Sequence, residues 1–307
     1  MNTPSDAELG RAIAEFSQLR GRLFGIAYRM LGSVADAEDI LQDVWVKWQS
    51  YDERDAVRDS TAFLVTMTTR LSINATQTAR VRRETYVGPW LPEPVDTSAD
   101  PSLGAERAAV LETAVLVVLE KLTPTERAAF VLREAFDYPY DEIAEILHMK
   151  QPAARKLVSR ARQSIESDRH TPVDTTDQRR LLSAFLVAAR AGDFDALETL
   201  FADDVASYSD GGGKVRNASR IPVFGRLRVA KYVTAFASHF WTGVTLDWVD
   251  ANGRPSVLIR RDGAPIAWLT VGVAGDERID RIFWVFNPAK LTRITQVVAA
   301  RGDSTAE

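Results

Sequence analysis

The sequence predicts a multidomain chain, with two all-α domains followed by a single α+β domain. Three observations carry this reading. Apolar residues recur at three- and four-residue steps from Phe16 to Ala161, the spacing of buried helix faces. A Pro- and Gly-rich stretch, residues 87–105, interrupts that texture. Beyond residue 178 short alternating runs joined by turn residues take over, the pattern of half-buried strands. A chain of 307 residues is long enough for several cores.

The first domain is assigned to residues 1–86. Phe16, Leu19, Leu23, Ile26, Ala27 and Met30 form the inner stripe of its first helix. Gly32 ends that helix, and Ser33 caps the next with Asp36 three residues on. From Ala35 to Trp48, the apolar side is Ile40, Leu41, Val44, Trp45 and Trp48. The polar side carries Asp36, Glu38, Asp39, Gln42 and Asp43. Carboxylates in a first turn suit the positive end of the helix dipole. Gln42 and Asp43 lie beyond that turn, and the dipole does not account for them. After a polar loop, 50–60, a helix from Thr61 to Arg83 rests on Phe63, Leu64, Met67, Leu71 and Ile73. Its far end, ATQTARVRRETY, is polar and basic.

Residues 87–105 hold four prolines and two glycines in nineteen positions, which predicts an extended linker. Within it Trp90 and Leu91 of WLPEP (90–94) need burial, as a cap on the first domain or as a docking peptide for another.

The second domain, 106–167, reads as a helix-turn-helix. Thr123, Pro124 and Glu126 make an N-cap, a first-turn proline and a capping box. Tyr140, Ile143, Ala144 and Leu147 share one face of a short helix, and His148-Met149-Lys150 turns the chain. Gln151-Pro152 opens a second helix that points Ala154, Leu157, Val158 and Ala161 inward. Arg155, Lys156, Ser159, Arg160 and Arg162 face out. Met149–Ile165 contains five basic residues and no acid. Alone, such a stripe is an ordinary solvated face; behind a short helix and a tight turn it suits a major-groove recognition helix.

A hinge, 168–177, leads to the third domain, 178–291, and a tail, 292–307. Leu181, Phe185, Ala188 and Ala189 predict a helix ending near Gly192. A helix at Phe194–Leu200, a short strand at Val205–Ser209 and a helix over about Leu227–Phe240 follow. Strands at Val244–Val249, Ser256–Arg261, Ile266–Val273 and Ile279–Phe286 complete an antiparallel meander. Helices followed by strands imply α+β, with helices on a curved sheet. Trp241, Trp248, Trp268 and Trp284, with Tyr208 and Phe286, line a cavity or fill a core, and core is the commoner role. Asp210, ahead of Gly211, Gly212, Gly213 and Lys214, is a candidate base or an ordinary turn residue. His148, His170 and His239 are scattered, so neither a metal site nor a catalytic cluster is predicted, and no cofactor. The domain reads as non-catalytic.

The net charge of −4 argues against a bulk nucleic-acid binder, so DNA contact must come from local basic surfaces. There is no cysteine, and neither a membrane-length apolar run nor a signal peptide, which fits the cytoplasm.

DAEDILQDVWVKW (36–48), AFLVTMTTRLSINATQTARVRRE (62–84) and Leu122–Arg162, in this order, resemble extracytoplasmic-function sigma factors of the sigma-70 family. The first is similar to the core-polymerase-binding helix, the second to the helices that melt and read the −10 element, the third to the −35-reading domain. WLPEP, DGGGK (210–214) and NPAKL (287–291) resemble the subgroup with a SnoaL-like, NTF2-related extension, with Lys214 where Arg and Ala289 where Asp are usual. Asn74 stands where Asp is usual, followed by fewer basic residues.

The resemblance implies a sigma factor that binds the β′ clamp and β flap of core RNA polymerase and directs it to promoters. Polymerase contacts would come from Asp36, Asp39, Gln42, Asp43 and Trp45. Asn74, Gln77, Arg80, Arg82 and Arg83 would meet the −10 element, and loop 50–60 would receive a flipped base. Gln151, Arg155, Lys156, Ser159 and Arg160 would meet the −35 element. Regulation would fall to the linker residues Trp90, Leu91, Pro92, Glu93 and Pro94, to Asp210, Gly211, Gly212, Gly213 and Lys214, and to Asn287, Pro288, Lys290 and Leu291. The extension would replace a separate anti-sigma factor, and the free protein would be a monomer. Two alternatives stay open: a ligand-sensing regulator without a polymerase role, and a SnoaL-like isomerase or cyclase joined to DNA-binding modules.

Overall fold

A computed structural model describes residues 6–97, 111–168, 174–215, 218–273 and 277–304. Part of the predicted linker (98–105), the middle of the hinge (169–173, with His170) and the end of the tail (305–307) lie outside the described residues. The described chain falls into two compact units.

The first unit is helical. Helices α1 (Asp6–Leu31), α2 (Val34–Gln49) and α3 (Ser60–Glu84) form a bundle that buries Leu23, Ile26, Ala27 and Met30. Gly32 takes a left-handed φ of 64° and ends α1, and the Ser33 hydroxyl accepts the Asp36 N–H at 3.3 Å to start α2. Helices α5 (Pro124–Phe136), α6 (Tyr140–Ile146) and α7 (Gln151–Asp168) pack beside them, α5 on α1 and α3, and α6 on α3. The Thr123–Glu126 capping box opens α5. His148, at φ 52°, makes the turn into α7. A short helix, α4 (Thr113–Leu119), precedes α5; its first residues belong to the second unit.

The second unit is α+β. Helices α8 (Thr175–Ala191) and α9 (Phe194–Leu200) lead into β1 (Phe201–Asp210), followed by β2 (Val223–Phe224), α10 (Arg226–Ala235) and α11 (Ala237–Phe240). Strands β3 (Val244–Ala251), β4 (Arg254–Arg261), β5 (Ala264–Val273) and β6 (Ile279–Val285) precede α12 (Pro288–Ser304). The sheet order is β2-β1-β6-β5-β4-β3. From β3 to β6 it is the predicted antiparallel meander, but β1 lies parallel beside β6. No hairpin joins those two strands: the chain leaves β1 through helices and four strands, and returns to it running the same way.

Each face of the sheet carries its own core, sorted by the period of two. On one face Phe201, Val257, Leu269 and Ile282 meet Phe185 of α8, Leu197 of α9 and Val229 of α10. On the other Leu258, Trp268, Phe283 and Val285 meet Leu291 and Ile294 of α12, Ala114 and Val117 of α4, and Leu91 of the linker. Three elements differ from the sequence reading. The 227–240 helix divides at Phe236, the turn at 223–225 contains strand β2, and α12 runs unbroken through Leu291. Asn287 and Pro288 are the N-cap and first residue of that helix, with the Ala289 N–H on Asn287 Oδ1 at 3.2 Å. NPAKL therefore begins an element instead of ending a domain.

Candidate polymerase and promoter surfaces and a linker dock

On α2 the apolar stripe turns into the bundle and leaves Asp39, Gln42 and Asp43 exposed together, one helical turn apart. Trp45 is half-buried against Phe16, with ring centroids 5.3 Å apart. Asp36 stands apart from the exposed trio, because Arg82 reaches it from α3 at 3.0 and 3.1 Å.

At the far end of α3, Asn74, Gln77 and Arg80 are exposed, the arrangement a nucleic-acid contact needs. Arg83 differs. It is partly buried, donates to the Leu31 carbonyl and pairs with Glu120. Burial and the neighbouring Arg127 pull its guanidinium down to about 9. The sequence reading of Arg83 as a phosphate contact does not fit this geometry, because a helix position beside Ala79 faces the bundle, not solvent.

On α7 Gln151, Arg155, Lys156, Ser159 and Arg160 are all exposed, while Ala154, Val158, Ala161 and Ile165 are buried. The guanidinium of Arg155 lies 5.2 Å above the Tyr140 ring. Arg162 is tied to Glu134 at 2.6 Å and so stands outside the open stripe.

Within the first unit the two helical modules hold each other through arginines. Arg127 of α5 is 1% exposed and donates to the Met30 carbonyl at 2.6 Å and to Glu120 at 2.8 Å. Burial, then the nearby Arg80, lowers its pKa to about 10. Arg70 reaches the Ile146 carbonyl at 3.1 Å, and Arg22 lies 5.0 Å over the Tyr138 ring.

In the second unit the linker is docked on the face of the sheet opposite α8, α9 and α10. Asp210 ends β1 with no exposed surface. Its Oδ2 accepts the Leu91 N–H at 2.9 Å and the Lys290 ammonium at 2.7 Å, and its Oδ1 accepts the Tyr86 hydroxyl. Lys290 also donates to the Leu91 carbonyl at 2.5 Å and lies 4.2 Å from the Trp90 ring centroid. Asn287 Nδ2 donates to the Tyr86 oxygen at 2.9 Å. Burial and the Asp210 carboxylate hold the Tyr86 phenol well above its ordinary pKa. Farther along, Asn252 and Val95 exchange two hydrogen bonds, at 2.8 and 2.9 Å, and Thr97 bonds the Asp250 carbonyl. Leu91, Pro92 and Pro94 are buried; Trp90 and Glu93 are partly so. WLPEP thus docks on the third domain, the second of its two predicted roles.

The glycines allow this approach. A Cβ on Gly212 would come within 2.5 Å of Asn287 Nδ2 and 3.0 Å of the Tyr86 hydroxyl. One on Gly213 would come within 3.1 Å of Val87. Lys214 and Ala289 are exposed, and Gly211 is buried. The buried ion pair that these motifs share is Asp210–Lys290, not one through Lys214.

Sequence reasoning missed Tyr86 and Asn252. Tyr86 looked like the end of a basic helix. Asn252-Gly253, with φ of 55° and 71°, is the two-residue hairpin signal between β3 and β4, and was there to be read. The aromatic group separates by strand parity. Trp241, Trp284 and Phe286 line a cavity on the helix face, Trp268 and Tyr208 join the linker-side core, and Trp248 lies under Arg179 at 4.8 Å.

Comparison with known proteins accords with this arrangement. The Sigma-70 region 2 family matches residues 16–83, and Sigma-70, region 4 matches residues 112–165. The ECF RNA polymerase sigma factor SigJ of Mycobacterium tuberculosis is 37% identical over 295 residues, 91% of this chain and 93% of that one. The probable ECF sigma factor SigI of the same species is 28% identical, over 89% of this chain and 92% of its own. The crystal structure of M. tuberculosis SigJ superposes with a TM-score of 0.73 at 32% identity, covering 92% of this chain and 98% of that one. By its two sigma regions, and by likeness along nearly its whole length, the chain belongs to the extracytoplasmic-function RNA polymerase sigma factors.

Proposed function

We propose that this sigma factor is regulated in cis, by its SnoaL-like domain acting on the linker between regions 2 and 4. The observation that carries the reading is the docked linker, held by Asp210, Lys290, Asn287 and Asn252. The −35 and −10 elements are centred about 25 base pairs apart, roughly 85 Å of B-DNA. Regions 2 and 4 packed on each other through Arg127 cannot reach both. Fully extended, the chain from Glu84 to Val118 spans roughly 110 Å, enough to serve both elements. Docking of 85–97 and 112–117 removes more than half of that reach. The fused domain then does in one chain what a separate anti-sigma factor would do, and the free protein is a monomer.

In the same reading Asp39, Gln42 and Asp43 meet the polymerase β′ clamp, with Trp45 behind them. Region 4 meets the β flap, α7 enters the −35 major groove, and Asn74, Gln77 and Arg80 meet the −10 strand beside loop 50–60. The SnoaL-like domain is non-catalytic: its one candidate base, Asp210, is consumed by the linker on the face away from the cavity.

The test is transcription with purified core polymerase from the promoter upstream of this gene, comparing the full chain with versions ending at Asp174 and at Leu291. Specific transcripts whose yield differs between the versions are expected. Equal yield from all three would remove the cis regulation, and absence of core binding would favour a polymerase-independent regulator.

A further inference from the structure

The helix face of the SnoaL-like domain encloses a cavity of about 370 Å³ that the linker dock does not use. Its walls are aromatic and mutually braced. Trp284 and Phe286 stack at 5.7 Å, and Phe240 stands edge-on to both at 5.8 and 5.9 Å. Tyr232, Phe236 and Trp241 continue the lining. Braced rings cannot collapse to fill the space, so the space is a preformed slot for a flat apolar body.

The polar groups at its edge choose the charge. Arg261 lines the cavity and is anchored by one nitrogen, Nη2, on the carbonyls of His239 and Phe240 at 3.3 and 2.6 Å. Ser209 and Tyr232 hydroxyls stand 3.5 Å apart in the wall. Among the described lining residues there is no carboxylate. A cation would meet Arg261 with no counter-charge, whereas a neutral or anionic group would find an arginine, the His239 imidazole and two hydroxyls. We propose that this cavity is an effector site for a flat ring compound of about two to three fused rings, neutral or anionic, bearing an oxygen acceptor at its edge.

The site is wired to the linker dock by single-residue steps. Ser209 lines the cavity and Asp210, next on β1, holds the linker; Phe286 and Pro288 line the cavity and flank Asn287 of the dock, with Lys290 two residues further on. The Phe286 and Asn287 N–H groups both donate to the Asp210 carbonyl, at 2.8 and 3.0 Å, and lock the two strand ends together. Occupancy of the slot and docking of the linker therefore bias the same strand ends, and each must alter the affinity of the other by the same factor. This coupling rests on the cis-regulatory reading above; the cavity itself does not.

Titration of the full chain with anilinonaphthalene sulfonate, an anion, and phenylnaphthylamine, its neutral relative, tests both parts. One-to-one binding of each is expected, with energy transfer from Trp241 and Trp284. I266W, which fills the slot, should abolish binding at an unchanged melting temperature. R261M should weaken the anion about tenfold and the neutral probe little, as loss of one charge-assisted contact implies. D210N/K290M, which removes the ion pair of the dock without stranding a charge, should shift the affinity of both probes several-fold at a melting temperature near that of wild type. No saturable binding, or binding that survives I266W, overturns the effector site and leaves the linker reading standing. Binding lost in I266W but indifferent to D210N/K290M overturns the coupling alone.

Discussion

Lys290 and Asp210, 80 residues apart, form an ion pair at 2.7 Å that is closed to water on both sides, and the Leu91 backbone completes it from the linker. A buried pair adds little over apolar packing, but removing one partner strands the other charge. K290M should therefore destabilise the C-terminal unit by about 3–5 kcal/mol, and D210N/K290M should recover much of that loss. Denaturant titration of wild type, D210N, K290M and the double mutant measures this, and a double mutant as unstable as the sum of its parts would contradict it.

Gly212 should tolerate no side chain. Its φ of 56° already disfavours one, and a Cβ there would press on Asn287 and Tyr86. G212A should cost about 1–3 kcal/mol and free the linker, read as faster proteolysis near Trp90.

The Tyr86 phenol gives the dock a defined pH response. Its folded pKa is raised above the ordinary value of 10.0, so the folded state holds the proton more tightly than the unfolded chain. That stabilisation is complete below pH 10 and is lost as pH rises above it. The stability difference between wild type and Y86F should be flat from pH 6 to 9 and shrink above about pH 10, as followed by thermal melts.

Arg127 is the buried fastener between regions 2 and 4. With no native cysteine in the chain, S17C and Q163C on α1 and α7 can carry a fluorophore pair as its only thiols. R127M should lengthen the mean distance between them and raise affinity for core polymerase. An unchanged transfer efficiency would remove Arg127 from that role.

Arg160 and Arg162 sit two residues apart on α7 and should behave differently. R160A should cost about 1–3 kcal/mol in promoter binding by the holoenzyme, as expected for one base-reading contact. R162A breaks only the surface pair with Glu134 and should leave promoter binding within about 0.5 kcal/mol of wild type.

The helical half of the chain was legible because its signals are local. Gly32, the Thr123–Glu126 box and the Gln151-Pro152 opening each act within one turn, and each forms as read. What escaped depends on chain pairing over long distances. Nothing near β1 announces that it lies parallel to β6, or that Asp210 would be spent on a leucine amide 119 residues earlier in the chain. The fate of Arg83 turned on tertiary packing that composition does not encode. Parity along the strands could have divided the tryptophans between two faces, had the pairing been known.

Because linker and dock share one chain, they meet at an effective concentration in the millimolar range, which no change in expression level can dilute. A peptide carrying WLPEP, added at micromolar concentration, should fail to displace the tethered copy. The ratio of linker to dock is fixed at synthesis, and any change in docking must come from a change in the strength of the contact itself.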